Sequence, residues 1–275
     1  MSTPEFEEKL FLRYLGLLGI RRHKPGIHAL TEIVRSQVIR VPFENVSKLY
    51  YKKRHGLDHL VGFEQYLDGI EQFRFGGTCY ANNFYLNRLL AWLGYEVKLC
   101  GADMKTPDVH IVNIVNVESR EFLVDAGYAA PFLGPLPRDL SNDYTVALGS
   151  DRYVLKPRDS NNRSRLELYR NGELRHGYVV NPLARHIEEF QQVIAKSLND
   201  SATFMNALLL VRFGPQSSFV IHNMTVIESA GDVTTRYSVD TRDQVVSLVE
   251  KHFAIPSPIV QEVLAELPML GDAWG

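Results

Sequence analysis

The sequence is poor in cysteine, in long apolar runs and in net charge, and each shortage excludes a class of protein. Its 275 residues include two cysteines, Cys79 and Cys100, which are too few for a disulfide framework. No apolar run approaches the roughly 20 residues that span a bilayer. The 30 basic and 32 acidic side chains nearly cancel, which argues against a nucleic-acid surface. With no apolar signal segment after Met1, we expect a soluble protein of the reducing cytoplasm.

Metal and nucleotide motifs are missing as well. The chain has no Cys-x-x-Cys and no His-Glu-x-x-His, and only His55 and His59 are spaced like metal ligands, in a basic, loop-like stretch. Gly76-Gly77 lacks the further glycines and preceding strand of a dinucleotide loop, and the Gly-Lys-Ser/Thr of a P-loop. We therefore expect no metal and no bound nucleotide of these two kinds.

Apolar spacing changes twice along the chain. Residues 1–94 have the spacing of amphipathic helices, which end at Gly94. Residues 95–184 alternate apolar and polar side chains, and Asn171-Gly172 is a strong hairpin signal, so this part predicts an antiparallel sheet or small barrel. Residues 185–275 begin with helical spacing and then mix strands with a helix that starts at the capping box of Thr241 and Gln244.

Cys79 stands at the start of a predicted helix, directly after the Gly-Gly loop. The helix dipole and the unpaired N–H groups at such a position favour the thiolate, which is the nucleophilic form of cysteine. His110 interrupts an apolar strand, and Asp125 ends another strand 15 residues later, with a turn signal between them. A hairpin would bring the two together. Each residue alone is also compatible with a buried thiol, a core histidine or a turn former, but in this order the three predict nucleophilic catalysis.

Four ordered motifs resemble those of the arylamine N-acetyltransferases, and the match covers most of residues 10–140. The motifs are Arg-Val-Pro-Phe-Glu-Asn at 40–45, Gly-Gly-Thr-Cys-Tyr at 76–80 with Asn83 beyond, the strand of His110, and Leu-Val-Asp-Ala-Gly-Tyr at 123–128. The resemblance implies an α+β fold with a cysteine-protease-like core. It implies an N-terminal helical bundle carrying the nucleophile at 1–94, an antiparallel β-barrel carrying the histidine and aspartate at 95–184, and a linker helix with a C-terminal α/β lid at 185–275.

The resemblance also implies the activity and its partners. The family transfers an acetyl group from acetyl-CoA to the nitrogen of an arylamine, arylhydroxylamine or hydrazine by a ping-pong mechanism through an acyl-cysteine. Acetyl-CoA is then a donor that is not tightly bound, no metal takes part, and the biological setting is xenobiotic metabolism in the cytoplasm. The partners are a small-molecule amine and a CoA thioester, without nucleic acid or membrane.

Family positions map onto this chain residue by residue. The catalytic positions fall on Cys79, His110 and Asp125. The positions that line the acceptor pocket fall on Phe43, Tyr80, Tyr128 and Phe204, and the last of these ends a Ser-x-x-Phe pattern in the lid. Within that pattern, Ser201 and Thr203 are the expected CoA-binding residues.

The chain departs from the family pattern beside the nucleophile. Phe75 stands where the family has an arginine, with Arg74 one place early, so the arginine partner expected for Glu44 is either lost or displaced. Ala81 replaces a usual Glu or Gln, and Ala129 replaces the second glycine of Gly-Phe-Gly. These departures leave a non-catalytic ligand binder open. Two further alternatives keep the three catalytic positions and change the acceptor: an amide synthase that uses a carrier-bound acyl chain, and a hydrolase of the thiol-protease or transglutaminase sort.

Overall fold

The computed structural model describes residues 4–267 and residue 270. The ends of the predicted domains, at residues 1–3, 268, 269 and 271–275, lie outside the described residues. The helices of the described part are α1 (Pro4–Leu18), α2 (Ile27–Arg40), α3 (Val46–His55), α4 (Phe63–Phe73), α5 (Cys79–Trp92), α6 (Gln191–Ser197), α7 (Arg242–Phe253) and α8 (Ser257–Glu266). Its strands are β1 (Phe43–Glu44), β2 (Glu96–Asp103), β3 (His110–Val117), β4 (Arg120–Val124), β5 (Leu136–Pro137), β6 (Tyr144–Leu148), β7 (Asp151–Leu155), β8 (Ser164–Arg170), β9 (Glu173–Val180), β10 (Leu209–Gly214), β11 (Ser217–His222), β12 (Thr225–Ala230) and β13 (Val233–Ser238).

The helices predicted from apolar spacing are present. α5 begins at Cys79 and is followed by Gly94, whose φ of 91° closes the last turn. α7 begins at the capping box of Thr241 and Gln244. The linker helix consists of a short 3₁₀ turn at Ile187–Phe190 and then α6.

Within the helical region predicted at residues 1–94, apolar spacing did not mark α3 and α4 as separate helices, and α3 shows why. Its last turn is a run of basic side chains, from Lys52 to His55, which has the composition of a loop. In the fold the opposite face of α3 is buried, and the carboxylates of α8 pair with the basic face: Arg54 Nη2 lies 2.6 Å from Glu262 Oε2, and Lys53 Nζ lies 2.5 Å from Glu266 Oε1. The helix is therefore stabilised by a partner more than 200 residues away, which local spacing does not contain.

Eight antiparallel strands form a curled sheet in the order β5-β4-β3-β2-β9-β8-β7-β6. The hairpin predicted at Asn171-Gly172 joins β8 to β9, and both residues have positive φ. Arg138, buried directly after β5, reaches across to β8, where its Nε donates to Ser164 Oγ at 3.0 Å. α5 packs against β2 and β3, so the start of this helix meets the strand that carries His110.

A second antiparallel sheet has the order β1-β10-β11-β12-β13. Its first strand comes from the N-terminal part of the chain, since Phe43 pairs with Val211 of β10. This pairing places the Pro-Phe-Glu-Asn segment beside the C-terminal sheet. The observed fold is the predicted α+β class, with a cysteine-protease-like core. The division into domains at residues 94 and 184 stays a prediction.

Candidate active site

Cys79 is the first residue of α5 and is nearly buried, with 7% of its surface exposed. The preceding loop passes so close to the rest of the fold that a Cβ on Gly76 would lie 1.8 Å from the carbonyl oxygen of Pro42. The glycine is therefore needed to bring the cysteine to the start of the helix. There the Sγ atom lies 3.9 Å from the carbonyl oxygen of Val109, at the beginning of the histidine strand.

His110 and Asp125 are brought together by the hairpin of β3 and β4. Asn113 pairs with Val124, and Asp125 follows directly after β4. His110 Nε2 lies 2.8 Å from Asp125 Oδ2, and both residues are almost fully buried. Because Nε2 is bonded to the carboxylate, Nδ1 is the ring nitrogen left to interact with Cys79, which contributes to the raised pKa of the imidazole.

The carboxylate of Asp125 is held from both sides. Its Oδ1 accepts hydrogen bonds from Asn83 Nδ2 at 2.8 Å and from the backbone N–H of Gly127 at 3.0 Å. Its Oδ2 accepts a third from the hydroxyl of Tyr178 at 2.8 Å, in addition to the bond with His110. A buried carboxylate with this many donors is fixed in one orientation and stays ionised.

Asn83 and Tyr178 were not among the site residues predicted from the sequence. Asn83 could have been found, because it follows Cys79 by one helical turn and therefore lies on the same face of α5. Tyr178 gave no signal, since it lies on β9 and reaches the site only through the curl of the sheet.

The ionisation of the site follows from these contacts. Burial by itself disfavours the imidazolium, but the charge of Asp125, the hydrogen bond that the ring donates to Asp125 and the interaction with Cys79 outweigh burial and raise the pKa of His110 to about 10. Burial also opposes the carboxylate, yet the charge and hydrogen bond of His110, with further donors, hold the pKa of Asp125 below its ordinary value. A thiol, a charged imidazole and an orienting carboxylate in this order can perform nucleophilic acyl transfer.

A cavity of about 400 Å³ opens beside these residues. Cys79 and His110 line it, together with three residues predicted for the acceptor pocket: Phe43, Tyr128 and Phe204. The rings of Phe43 and Phe204 meet edge to face, 5.8 Å apart. Further apolar side chains come from the second sheet, among them Leu209, Val211 and Phe213. The space therefore suits an aromatic ring next to the sulfur.

Tyr80 lies elsewhere. Its hydroxyl donates to the carbonyl oxygen of Asp108 at 3.0 Å, and its side chain lines a separate small cavity together with Lys48 and Ala81. Its contact with the active site runs through the backbone before His110, and its part in substrate binding stays a prediction.

Ser201 and Thr203 are both exposed and flank the turn that presents Phe204 to the cavity. Asn45 fixes this turn, because its Nδ2 donates to the carbonyl oxygens of Phe204 at 2.8 Å and of Ala207 at 2.6 Å. The contact of Ser201 and Thr203 with CoA stays a prediction.

The structure shows what replaces the family arginine beside Cys79. The carboxylate of Glu44 accepts hydrogen bonds from backbone N–H groups in place of an arginine. The N–H of Gly76 donates to Oε1 at 3.0 Å, and the N–H of Ser47 donates to Oε2 at 2.8 Å. Arg74 is exposed, and Glu44 makes no ion pair with any side chain in the described residues. Burial outweighs these hydrogen bonds and raises the pKa of Glu44. Phe75 is buried among rings, including Tyr50 at 5.7 Å, so an aromatic cluster occupies this place.

Two observations concern the wider molecule. Across residues 4–267 and 270, no group of three or more His, Cys, Asp and Glu side chains is placed to hold a metal ion. No helix in the described residues combines the length and apolar character needed to cross a membrane.

Comparisons with known proteins point in one direction. A family model described as N-acetyltransferase matches residues 26–260. The arylamine N-acetyltransferase pineal gland isozyme NAT-3 of Gallus gallus is 31% identical over 141 residues, which are 48% of this chain and 47% of that protein. The N-malonyltransferase FDB2 of Fusarium pseudograminearum is 32% identical over 154 residues, 48% of this chain and 43% of that protein. The chain thus spans about half the length of the curated relatives that it matches.

Solved structures extend the match to nearly the whole chain. The arylamine N-acetyltransferase of Mycobacterium abscessus has a TM-score of 0.79 at 16% identity and covers 94% of this chain and 96% of its own. The arylamine N-acetyltransferase of Mycobacterium marinum in complex with CoA has a TM-score of 0.78 at 18% identity, with 94% and 99% covered. At these identities the likeness shows a shared fold.

Proposed function

The chain belongs to the arylamine N-acetyltransferase family, and from this premise we propose that it transfers an acetyl group from acetyl-CoA to the nitrogen of an arylamine, arylhydroxylamine or hydrazine. The observation that carries the proposal is the connected set of Cys79, His110 and Asp125 at the wall of an apolar cavity. The proposed partners are a CoA thioester and a small amine, in the reducing cytoplasm, where a free cysteine stays reduced.

In the first half of the proposed reaction, the Cys79 thiolate attacks the carbonyl carbon of the thioester. The bond from that carbon to the sulfur of CoA breaks, and the leaving sulfur takes the proton from Nδ1 of His110. Asp125 holds the imidazole in position through Nε2 and keeps it protonated until this step. CoA then leaves as a thiol, and the acetyl group stays on Cys79.

In the second half, the amine nitrogen attacks the same carbonyl carbon, and the bond to Sγ of Cys79 breaks. His110 takes the proton that the nitrogen loses, which restores the thiolate–imidazolium pair. The apolar lining supports an aromatic amine over water as the acceptor, because a ring gains more than water does from leaving the solvent.

The test is acylation in the absence of an acceptor, followed by intact-protein mass spectrometry. We expect one acetyl group on the wild type and none on Cys79→Ala. The matched control is Cys100→Ala, because Cys100 is a buried thiol whose pKa burial raises to about 12, and this variant should keep the label. Equal labelling of Cys79→Ala would sink the covalent mechanism.

The same preparation separates the alternatives. Release of acetate without an amine supports a hydrolase, and acylation only from a carrier-bound chain supports an amide synthase. A Cys79 that resists both acetyl-CoA and iodoacetamide supports a ligand binder. Because one relative is an N-malonyltransferase, malonyl-CoA is tested beside acetyl-CoA, and the larger rate of Cys79 acylation identifies the preferred acyl group.

A further inference from the structure

The cavity beside Cys79 is apolar around the sulfur, but part of its wall is polar. Asp151 of β7, Arg170 of β8 and His176 of β9 line it. Register explains why they share one face of the curled sheet: Asp151 pairs with Arg170, and Leu168, two residues before Arg170, pairs with His176. None of the three takes part in the proposed acyl transfer, so their placement in the cavity needs a separate account.

The polar wall lies within the length of a small aromatic molecule from His110, because Tyr128 has ring contacts with both His110 and His176. The ring of His110 lies 5.5 Å from that of Tyr128, and the ring of Tyr128 lies 5.5 Å from that of His176. A benzene ring whose amine approaches Cys79 can therefore direct a substituent on its far side toward His176.

The polar wall carries no net charge. Arg170 is bidentate to Asp151, with Nε 2.6 Å from Oδ1 and Nη2 2.7 Å from Oδ2, so the two charges cancel. Burial, and then the charge of Arg170, lower the pKa of His176, which keeps its imidazole neutral at neutral pH. A negatively charged substituent would meet the carboxylate of Asp151 without a free cation to balance it.

The hydrogen bonds of His176 leave one donor for a ligand. The Tyr128 hydroxyl lies 2.6 Å from Nδ1 of His176, and the hydroxyl has no other hydrogen-bond partner within residues 4–267 and 270. The hydroxyl can donate its proton to Nδ1, and in this arrangement the proton of the neutral ring is on Nε2. That Nε2 has no hydrogen-bond partner in the described part of the chain, and it is not enclosed by protein.

We propose that His176, held by Tyr128, is a specificity-determining residue that donates a hydrogen bond from Nε2 to an uncharged acceptor group at the far end of the aromatic amine. The proposal rests on the acyl transfer proposed above, since it concerns which amine takes the acetyl group from Cys79. The favoured class is an arylamine with a neutral carbonyl, amide or ether opposite the amine, ahead of purely apolar arylamines and of those that carry a carboxylate.

Three amines of similar shape test this class: 4-aminobenzamide, 4-isopropylaniline and 4-aminobenzoate. The measurement is kcat/KM for the amine at saturating acetyl-CoA, which in a ping-pong reaction reports the second half alone. His176→Phe keeps a ring and removes the donor, whereas His176→Gln keeps an N–H donor. Comparing each variant with the wild type cancels the intrinsic reactivity of each amine.

We expect His176→Phe to lower kcat/KM for 4-aminobenzamide about tenfold, the effect of one hydrogen bond between uncharged groups, and to change the value for 4-isopropylaniline less than about twofold. His176→Gln should restore most of the loss. Equal losses for both amines, or no loss for either, would overturn the proposal. A wild-type preference for 4-aminobenzoate over 4-aminobenzamide would overturn the neutral class.

Two further measurements separate this proposal from the proposed function. Acetylation of Cys79 by acetyl-CoA alone does not involve the amine, so a wild type that is not acetylated contradicts the proposed function and not the His176 contact. A urea unfolding curve of His176→Phe shows that the variant is folded. Calorimetric titration of the free enzymes with the same amines tests recognition without turnover. If the wild type and His176→Phe bind 4-aminobenzamide with equal affinity, the His176 contact is refuted, whether or not acetyl transfer occurs.

Discussion

Gly127, two residues after Asp125, lies against the start of α5, and Gly127→Ala should disrupt the site. A Cβ at this position would lie 2.6 Å from Cα of Cys79 and 2.8 Å from Nδ2 of Asn83. The Cα of Cys79 is a backbone atom, so no change of rotamer can make room. The segment that contains Asp125 must move away from α5, and the bond from Asn83 to the carboxylate is strained or lost.

The expected cost follows from two terms. Forcing one extra methyl group into a packed contact costs about 1–3 kcal/mol. Weakening a buried hydrogen bond to a charged carboxylate adds about 1.5–3 kcal/mol if the bond is fully broken. We expect the free energy of unfolding to fall by about 3 kcal/mol. A displacement on the order of 1 Å at the site should slow acetylation of Cys79 about a hundredfold.

Gly16→Ala is the matched control. Gly16 is exposed inside α1, and a Cβ there would have no neighbour within 4 Å, so alanine should stabilise the helix by about 1 kcal/mol and leave acetylation unchanged. Urea unfolding measures the stability of both variants, and a rapid-quench mass assay measures their acetylation. A Gly127→Ala protein that is as stable and as fast as the wild type would refute the close-contact argument.

Three further outcomes follow from the contacts at the site. Tyr178→Phe removes one donor to the buried Asp125, so the free energy of unfolding should fall by about 2 kcal/mol and acetylation should slow about tenfold; unchanged rates would contradict a role in holding the carboxylate. Ala129 has a φ of 59°, a region that L side chains enter at a cost, so Ala129→Gly should raise the free energy of unfolding by about 1 kcal/mol. Urea unfolding checks this, and a lower midpoint in the variant would contradict it. The pKa of His110 is raised from 6.5 to about 10, so its contribution to stability is complete below pH 6.5 and is lost as the pH rises to about 10. Between pH 6.5 and about pH 10, the free energy of unfolding should fall more in the wild type than in His110→Gln. An equal fall in the two proteins would refute this prediction.

Much of the fold could be predicted because its signals are local. The apolar spacing of α1, α2 and α5, the hairpin at Asn171-Gly172 and the capping box of α7 each involve residues within a few positions of one another. Such features form from short-range contacts, so the sequence alone contains them. The contact between Asp125 and His110 could be predicted for the same reason, since one tight hairpin joins their strands.

The parts that were missed depend on partners distant in sequence. α3 is stabilised through α8, and β1 forms because Phe43 pairs with Val211. Two residues cannot specify a strand by pattern, since the alternation that marks a strand needs a longer run.

The amino-acid sequence by itself determined the order of Cys79, His110 and Asp125, the three residues proposed for catalysis, and the family to which that order belongs, because these are identities and spacings along one chain. Only the tertiary structure decided what surrounds them. The donors Asn83 and Tyr178 on Asp125, and His176 in the cavity, are set by strand register and sheet curvature. Those properties arise when segments far apart in sequence pack together, and no local pattern encodes them.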